Sequence, residues 1–408
     1  MIFRKKKSSY TSGSLTTLAL KKFLKNKPGL FSFYYILFIA LIALLGYLIT
    51  PDPSPYSNRQ ILEIAMEKPL FKVKLLKIRL NKNVVETSWF SQMLWGKPDL
   101  YKFIPLESWH FEKDRIHVKI YDKDSTGISK SFPLVDVIYP VDKILRSDSS
   151  SVTFQTINGT VKTVSVNQLQ TTAKKDHFET KRYLLGTDQF GRDLLSRLLI
   201  GSRISLSVGF ISVAISLIVG ILLGSLSGYF GGKTDDLIMW FINVIWSIPT
   251  LLLVIAITFA LGKGFWQIFI AVGLTMWVEV ARVVRGQFVT LREKEFVEAG
   301  FALGFSHTRI ITKHILPNAL SPVIVISAAN FAAAILIEAG LSFLGIGVQP
   351  PVPSWGGMIK EYYGFIILDS AYLAIIPGLA IVSLVMAFMT MGNSLRDALD
   401  VKEITNNR

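Results

Sequence analysis

The sequence has no cysteine, which excludes a disulfide framework, a thiolate metal centre and a thiol nucleophile, and leaves the redox compartment open. Charged residues are scarce: 18% of 408 residues, against 50% hydrophobic. With a mean hydropathy of +0.43, the chain is too apolar for an ordinary soluble protein. Histidine is sparse, with five residues, His110, His117, His177, His307 and His314. Along the chain they show no ligand spacing with carboxylates or thiols, so no metal site is expected. No Ser-His-Asp arrangement and no paired carboxylates with an evident catalytic role occur, so neither an enzyme nor a cofactor site is expected in this chain. Acidic residues are missing from positions 1–28, which carry eight bases: Arg4, Lys5, Lys6, Lys7, Lys21, Lys22, Lys25 and Lys27.

That basic stretch stands just before an apolar run. A formal charge of +15 could suggest nucleic acid, but a basic flank on a membrane helix is a cytoplasmic anchor under the positive-inside rule. No nucleic-acid partner is expected. Runs of about 18 or more apolar residues mark membrane helices, because about 20 residues at about 1.5 Å each cross the hydrocarbon. Residues 29–50 form the first such run. It is too long for a signal-peptide core, and Thr50-Pro51-Asp52-Pro53 offers no small-residue cleavage site, so a retained helix is expected.

Five further spans are expected at about 204–227, 237–262, 265–283, 318–346 and 371–391. Alternation from a cytoplasmic start predicts six crossings in contact with membrane lipid, with both termini cytoplasmic. Arg285, Arg292, Lys294, Arg309 and Lys313 then fall on the inside between the fourth and fifth spans. Between the fifth and sixth the only base is Lys360. Both agree with the positive-inside rule.

Residues 51–203 interrupt this pattern with 24 Lys/Arg and 17 Asp/Glu. The predicted topology places them outside, which long loops tolerate whatever their charge. Phe71, Val73 and Leu75 alternate with Lys72 and Lys74, and Ile116, Val118 and Ile120 with His117 and Lys119, the period of half-buried strands. Asn158-Gly159 between Val152–Ile157 and Thr160–Val164 predicts a hairpin with a two-residue type I′ turn. It also explains Asn158-Gly159-Thr160 better than a glycosylation sequon does. A β-rich domain over about 55–170 is expected, a structural elaboration or a functional module.

Residues 295–323, EFVEAGFALGFSHTRIITKHILPNALSPV, predict two short helices. The first closes near Leu303, with Gly304 in the left-handed conformation. The second runs from an N-cap at Ser306 to Leu316, and Pro317 turns the chain toward the next span. Locally, such a segment is either a connector or a lever facing a soluble partner. SGYFGGKT at 227–234 nearly spells a phosphate-binding loop. It has Ser227 at the first glycine position and a membrane span in front of it, so a tight turn is expected. Glu338 lies well inside the fifth span and is expected to make a pore or intersubunit contact; Glu279, near a span end, is expected at the headgroup level. Gly201, Gly220, Gly224, Pro249, Pro322 and Pro377 would permit close helix contacts and kinks.

Glu298-Ala299-Gly300, Gly304 and Leu316-Pro317 resemble the EAA loop of permeases of ATP-binding-cassette importers. Gly300 stands where a second alanine is usual, and His314 with Ile315 departs from the usual isoleucine. LGTDQFGRDLLSRLLIGSRISL (185–206), GLSFLGIGVQPPVPSWGGMI (340–359) and GNSLRDALD (392–400) narrow the similarity to the C-type permease of the dipeptide, oligopeptide and nickel branch. The likeness is close over about 183–401 and loose over 1–50.

The resemblance implies an all-α polytopic membrane protein of type I importer permease fold with six transmembrane helices. The β-rich extracytoplasmic insert rests on the strand alternation and topology above, is longer than the family's loop at that place, and inherits nothing from the resemblance. The resemblance divides the chain into 1–50, the basic terminus and first helix; 51–182, the insert; 183–401, the permease core; and 402–408, a cytoplasmic tail. It makes 295–317 the loop that couples to ATPase subunits, with Glu298, Ala299, Gly300, Gly304, Leu316 and Pro317 as its marks. It also implies a second homologous permease, two ATPase subunits that carry the ATP, and an extracytoplasmic substrate-binding protein, all at the plasma membrane. Peptides, or a related small solute, are the expected cargo, favoured over nickel because no His-rich or acidic lining is visible. The competing class is a membrane-anchored scaffold or receptor that displays the insert, and a third is a passive channel.

The absence of cysteine makes the topology directly testable. A single cysteine introduced at Arg292 or Arg309 is expected to react with a membrane-impermeant maleimide from the cytoplasmic side only. Labelling from outside intact cells would reverse the topology.

Overall fold

A computed structural model describes residues 15–83, 87–123, 127–262 and 264–399; the basic cluster Arg4–Lys7 and the tail 402–408 lie outside them. In chain order the helices are α1 (Leu15–Lys25), α2 (Lys27–Ile49), α3 (Trp89–Trp95), α4 (Leu134–Ile138), α5 (Val166–Asp176), α6 (Leu194–Phe230), α7 (Gly232–Trp246), α8 (Thr250–Leu261), α9 (Phe265–Arg292), α10 (Glu295–Ala302), α11 (His307–Arg309), α12 (Leu316–Phe343), α13 (Trp355–Tyr362) and α14 (Tyr372–Leu399). The strands are β1 (Phe71–Arg79), β2 (Tyr101–Glu112), β3 (Arg115–Ile120), β4 (Ser129–Pro133), β5 (Val141–Ser147), β6 (Ser151–Thr156), β7 (Val161–Ser165) and β8 (Phe178–Tyr183). The chain forms two compact units. One takes residues up to Ala40, Ser205–Val348 and Leu379 onward; the other takes Leu41–Ile204 and Gln349–Gly378. Three of the four divisions, at 40/41, 204/205 and 378/379, fall within helices and the fourth, at 348/349, between α12 and α13; none coincides with the composition boundaries at 50 and 183.

Among the described residues, five helices are long and apolar enough to cross a membrane: α2, α6, α9, the run His307–Phe343, and α14. The chain is a polytopic membrane protein. The expected third span, 237–262, is not one straight helix: α7 and α8 meet at 94°. Pro249 brings no N–H and disfavours helical geometry at Ile248, so α7 closes at Ser247 and α8 restarts after the proline. The expected fourth span also continues past 283 to Arg292.

In the first unit, α6 lies against α9 along a seam of Gly220, Gly224 and Gly228. A Cβ added at these positions would come within 2.5–2.6 Å of the Val280 side chain, the Ala281 carbonyl oxygen and the Phe288 side chain respectively. Spacing of four puts all three on one helix face. Small residues there let backbones approach in a solvent that gives helices no hydrophobic reason to associate. Gly201 has a different role, since in the second unit it makes room for the Trp355 ring. Pro322 and Pro377 sit inside α12 and α14.

In the second unit, β4-β3-β2-β1-β8 form an antiparallel sheet and β5-β6-β7 a smaller one. The alternation along the chain is realised. Val73 and Leu75 of β1, and Ile116, Val118 and Ile120 of β3, are buried. Ile116, Val118, Leu134, Phe154 and Leu169 join one core that both sheets and α4 and α5 share, each worth about 1.5–3 kcal/mol when fully buried. The sheet is completed by β8, beyond the expected limit at 170. The β6–β7 hairpin differs from expectation. Thr156 N–H donates to the Thr160 carbonyl at 2.9 Å, so three residues, not two, make the loop. Gly159 has φ +80° and Asn158 does not share it, as in a type I turn followed by a left-handed residue.

In this unit the 185–206 string meets α13, whose start closes the 340–359 string. Asp188 accepts from Phe190 N–H and Arg192 N–H, each at 2.9 Å, from Arg192 Nε at 2.6 Å and from the Tyr362 hydroxyl at 2.8 Å. Arg192 Nη2 also donates to Glu361 at 2.5 Å, and Arg197 Nη2 reaches the same carboxylate at 3.3 Å. Trp355 Nε1 donates to the Leu198 carbonyl at 2.9 Å. Burial lifts the Tyr362 phenol well above its ordinary pKa, so it stays a neutral donor. Asp188, Arg192 and Arg197 are all buried. Such charges persist only when paired, and removing one partner of a buried pair costs about 3–5 kcal/mol.

Two left-handed glycines of this unit provide a contrast. Gly159 has nothing within 4 Å of an added Cβ; Gly191, at φ +67°, would put one 1.7 Å from the Ile61 carbonyl oxygen. Gly159→Ala is expected to cost only the left-handed strain, about 1–2 kcal/mol. Gly191→Ala should cost clearly more, read as the larger fall in melting temperature of the detergent-purified chain. Equal falls would refute the packing reading.

Candidate functional site

The 295–323 segment is built as an elbow. Lys294 precedes α10, whose first turn carries Glu295 and Glu298, where acidic side chains complement the helix dipole. Leu303 closes the helix, and Gly304 takes φ +73°. Phe305 N–H then returns to the Gly300 carbonyl at 3.0 Å and Gly304 N–H to the Phe301 carbonyl at 2.9 Å. This paired closure is the Schellman arrangement, and it needs a residue free to adopt positive φ. Ser306 caps the next turn by accepting from Arg309 N–H at 3.4 Å.

The expected second short helix and the turn at Pro317 are not what the fold makes of these residues. From Ile310 to Ile315 the chain widens into a π-helix, which passes directly into α12. Pro317 is the second residue of α12 and brings no N–H to the preceding turn. The wider π turn relieves the clash of a proline ring with the preceding turn. One helical run, His307–Phe343, therefore joins the elbow to the interior of the protein.

The elbow has two faces. Val297, Gly300, Ile310 and Ile315 are buried. Val297, Ile310 and Ile315 share a core with Tyr229, Val280, Val284, Phe288, Ala319 and Val323, drawn from α6, α9 and α12. The other face is open: Glu298, Ala299, Gly304 and Pro317 are exposed, as are Phe296, Phe301 and Leu303, the last at 71%. Leu316 is half-buried. The departure at Gly300 is sterically mild, because an added Cβ would meet Phe305 at 3.5 Å and Ile310 at 3.7 Å, ordinary contacts. The departure at His314 is absorbed by stacking on Phe305, with centroids 5.5 Å apart.

Residues 227–234 connect helix to helix, with α6 ending at Phe230 and α7 starting at Gly232. Side chains tie this turn: the Ser227 hydroxyl donates to Asp235, and Arg285 clamps the same carboxylate through Nε at 2.6 Å and Nη2 at 2.5 Å. A carboxylate held at that position leaves no cradle for a phosphate.

The two intramembrane acids sit in different surroundings. Glu338 is fully buried within its unit and accepts from the Ser342 hydroxyl at 2.7 Å. Glu279 sits midway along α9, since that helix runs on to Arg292, and it is exposed. It borders a cavity of about 190 Å³ with Trp246, Thr250, Thr275, Ala333 and Ile337. One turn on, Arg282 lies 3.7 Å over the Trp246 ring and donates to Asn243 at 2.7 Å. The signal for Glu279 was present in the sequence as a carboxylate in an apolar run. A helix ending at 283 would put it near a terminus; the extension to Arg292 puts it in mid-helix.

The histidines hold a second surprise. Spacing along the chain gives no ligand set, but the β2–β3 register sets His110 opposite His117, with Glu112 beside them.

Apolar helices packed along a glycine seam define a polytopic membrane protein. Residues 220–403 match the family of binding-protein-dependent transport system inner membrane components, and residues 14–69 match the N-terminal TM domain of oligopeptide transport permease C. The oligopeptide transport system permease protein OppC of Haemophilus influenzae is 43% identical over 222 residues, 54% of this chain and 71% of that protein. The dipeptide transport system permease protein DppC of Alkalihalophilus pseudofirmus is 42% identical over 217 residues, 53% of this chain and 71% of that protein. A solved chain of the MetNI methionine ABC transporter in inward facing conformations covers 50% of this chain and 97% of its own at 19% identity and a TM-score of 0.41, too loose a likeness to carry weight. The chain belongs to the inner-membrane permeases of ATP-driven, binding-protein-dependent importers, in the peptide family. It is a transport subunit, and hydrolysis of ATP lies in separate subunits of such systems.

The geometry separates two glycines of the elbow. Gly300→Ala is expected to be neutral or to stabilise the chain by up to about 1 kcal/mol through helix propensity. Gly304→Val should destabilise the elbow, because a β-branched residue resists positive φ. Limited proteolysis around residue 304 checks both, and equal protection in the two variants would count against the closure described.

Proposed function

We propose that the elbow at 295–317 is the lever on which ATPase subunits act, and that the chain forms a peptide translocation path with a second, homologous permease. One observation carries this reading. The elbow's inner face is sealed into the core of α6, α9 and α12, and its second half continues unbroken into α12. A displacement of the outer face therefore moves the bundle and is not lost in a hinge. The exposed Phe301 and Leu303, beside Glu298, offer an apolar knob with an acidic flank to a groove on a soluble partner. A passive channel has no use for such a lever.

In this scheme the elbow and both termini are cytoplasmic, and the β-rich 51–182 insert is extracytoplasmic. Six crossings result, with the bent α7–α8 pair as one of them. A substrate-binding protein delivers cargo from outside, and two ATPase subunits supply the closure. Glu279 and its cavity lie on the path or at the permease–permease contact, because an exposed carboxylate on a membrane helix needs water or a polar partner. Glu338, buried with Ser342, holds α12 together from within. Peptides as cargo are supported by the names of the oligopeptide and dipeptide relatives.

Assembled with its partner permease and ATPases, the chain is expected to drive accumulation of labelled di- and oligopeptides. Glu298→Trp and Gly304→Val should reduce uptake and cargo-stimulated ATP hydrolysis to background while the chain still inserts; Gly300→Ala should retain both. Full transport in the Glu298→Trp variant would remove the coupling role. Failure of any ATPase subunit to copurify would favour the scaffold or receptor reading.

A further inference from the structure

The β-rich sheet carries a cluster of side chains that the proposed coupling does not use. We propose that His110, Glu112 and His117 form a binding site for one borderline divalent transition-metal ion, of the class of Zn(II), Ni(II) or Cu(II). The proposal is independent of the coupling reading and of the cargo.

The fold assembles the cluster from two strands. His110 and Glu112 are two apart on β2 and so share a face. Antiparallel pairing sets His117 of β3 directly across from His110. The imidazoles lie parallel, 10° apart in plane with centroids 5.1 Å apart. Glu112 Oε2 is 3.3 Å from His117 Nε2, and one donor atom from each of the three residues lies within 4.8 Å of the others. Two donors bound to one ion at about 2.1 Å can stand at most about 4.2 Å apart. The glutamate–histidine pair already meets that limit. The remaining pairs need only small side-chain rotations, and His110 and Glu112 are exposed and His117 half-buried, so nothing packed has to give way.

The donor set selects the ion. Two imidazoles and one carboxylate suit zinc, nickel and copper, whereas calcium and magnesium require mostly oxygen ligands. Three protein ligands leave open positions that water or a ligand from another molecule can fill. Two neighbouring cations are already engaged. Arg115, opposite Glu112, donates Nε to the Ser131 hydroxyl at 2.8 Å. Lys119, two residues beyond His117, is paired with Glu107 at 2.8 Å. An ion bound here would staple β2 to β3 at the end of the sheet where both strands turn.

The test uses the full-length chain in detergent, purified on a tag without histidine and stripped with a chelator. Equilibrium dialysis against ZnCl₂, NiCl₂ and MgCl₂ with metal analysis should give one equivalent of zinc or nickel and none of magnesium. Loss of a partner that merely orients a ligand already weakens metal sites by about 10- to 100-fold. H110Q or H117Q should therefore cost at least that much, the double variant should abolish the site, and E112Q should weaken it. A second measurement needs no variant. Zinc should protect His110 and His117 of the wild-type chain from an imidazole-acylating reagent, read by mass spectrometry. Absence of saturable zinc or nickel binding, binding undiminished in the double variant, or no protection of the two histidines would each overturn the proposal.

Discussion

The fold's mechanical character rests on one packing contact, in which Val297, Ile310 and Ile315 of the elbow are buried against Val280, Val284 and Phe288 of α9. Exposed loops of membrane proteins are ordinarily free to move because little holds them. Here three apolar side chains, each worth about 1.5–3 kcal/mol when buried, join the elbow to the helices behind it. That contact depends in turn on the glycine seam, which brings α6 close enough to α9 for Tyr229 to complete the same core. A side chain in the seam would part the helices and open the elbow's seat. The proposed coupling function needs this stiffness, since a lever transmits work only if its attachment is harder to deform than its partner's grip.

The second unit is organised around charge instead. Asp188, Arg192, Arg197 and Glu361 are drawn from strings more than 150 residues apart, and each neutralises another. Buried ions of this kind add little net stability compared with an apolar core, because desolvation offsets most of the attraction. Their effect is to penalise misassembly: any arrangement that separates Arg192 from Asp188 and Glu361 leaves an unpaired charge inside. Asp188, Arg192 and Arg197 belong to the distinctive 185–206 string, and Glu361 follows just after the 340–359 string. The Gly191 approach to Ile61, the Trp355 indole bond to Leu198 and the Gly201 notch are all parts of one joint.

The sheet unit shows the same division between local and distant causes. Alternation placed β1 and β3 correctly, because a strand with one wet face must repeat every two residues. The hairpin location was equally legible, whereas its loop length was not. Asn-Gly favours a two-residue turn in isolation, but here the Thr156–Thr160 pairing, with the two hydroxyls 2.5 Å apart, fixes a register that needs a third loop residue. His110 and His117 lie seven positions apart along the chain, and only pairing across strands makes them neighbours.

What the sequence by itself determined follows from properties that act within about twenty residues: apolar length sufficient for a bilayer, base asymmetry around the spans, strand alternation, and the Gly304 closure of α10. The elbow's motif residues and the family were legible for the same reason, being contiguous strings. Only the tertiary structure decided where helices end and which acid is exposed. α9 passes its predicted limit because Val284 and Phe288 find partners on α6 and the elbow, and that extension leaves Glu279 in mid-helix and exposed. Pro317 begins α12 without ending a helix because the π turn before it makes room. In each case the deciding energy comes from side chains distant in sequence, and local pattern carries no record of them.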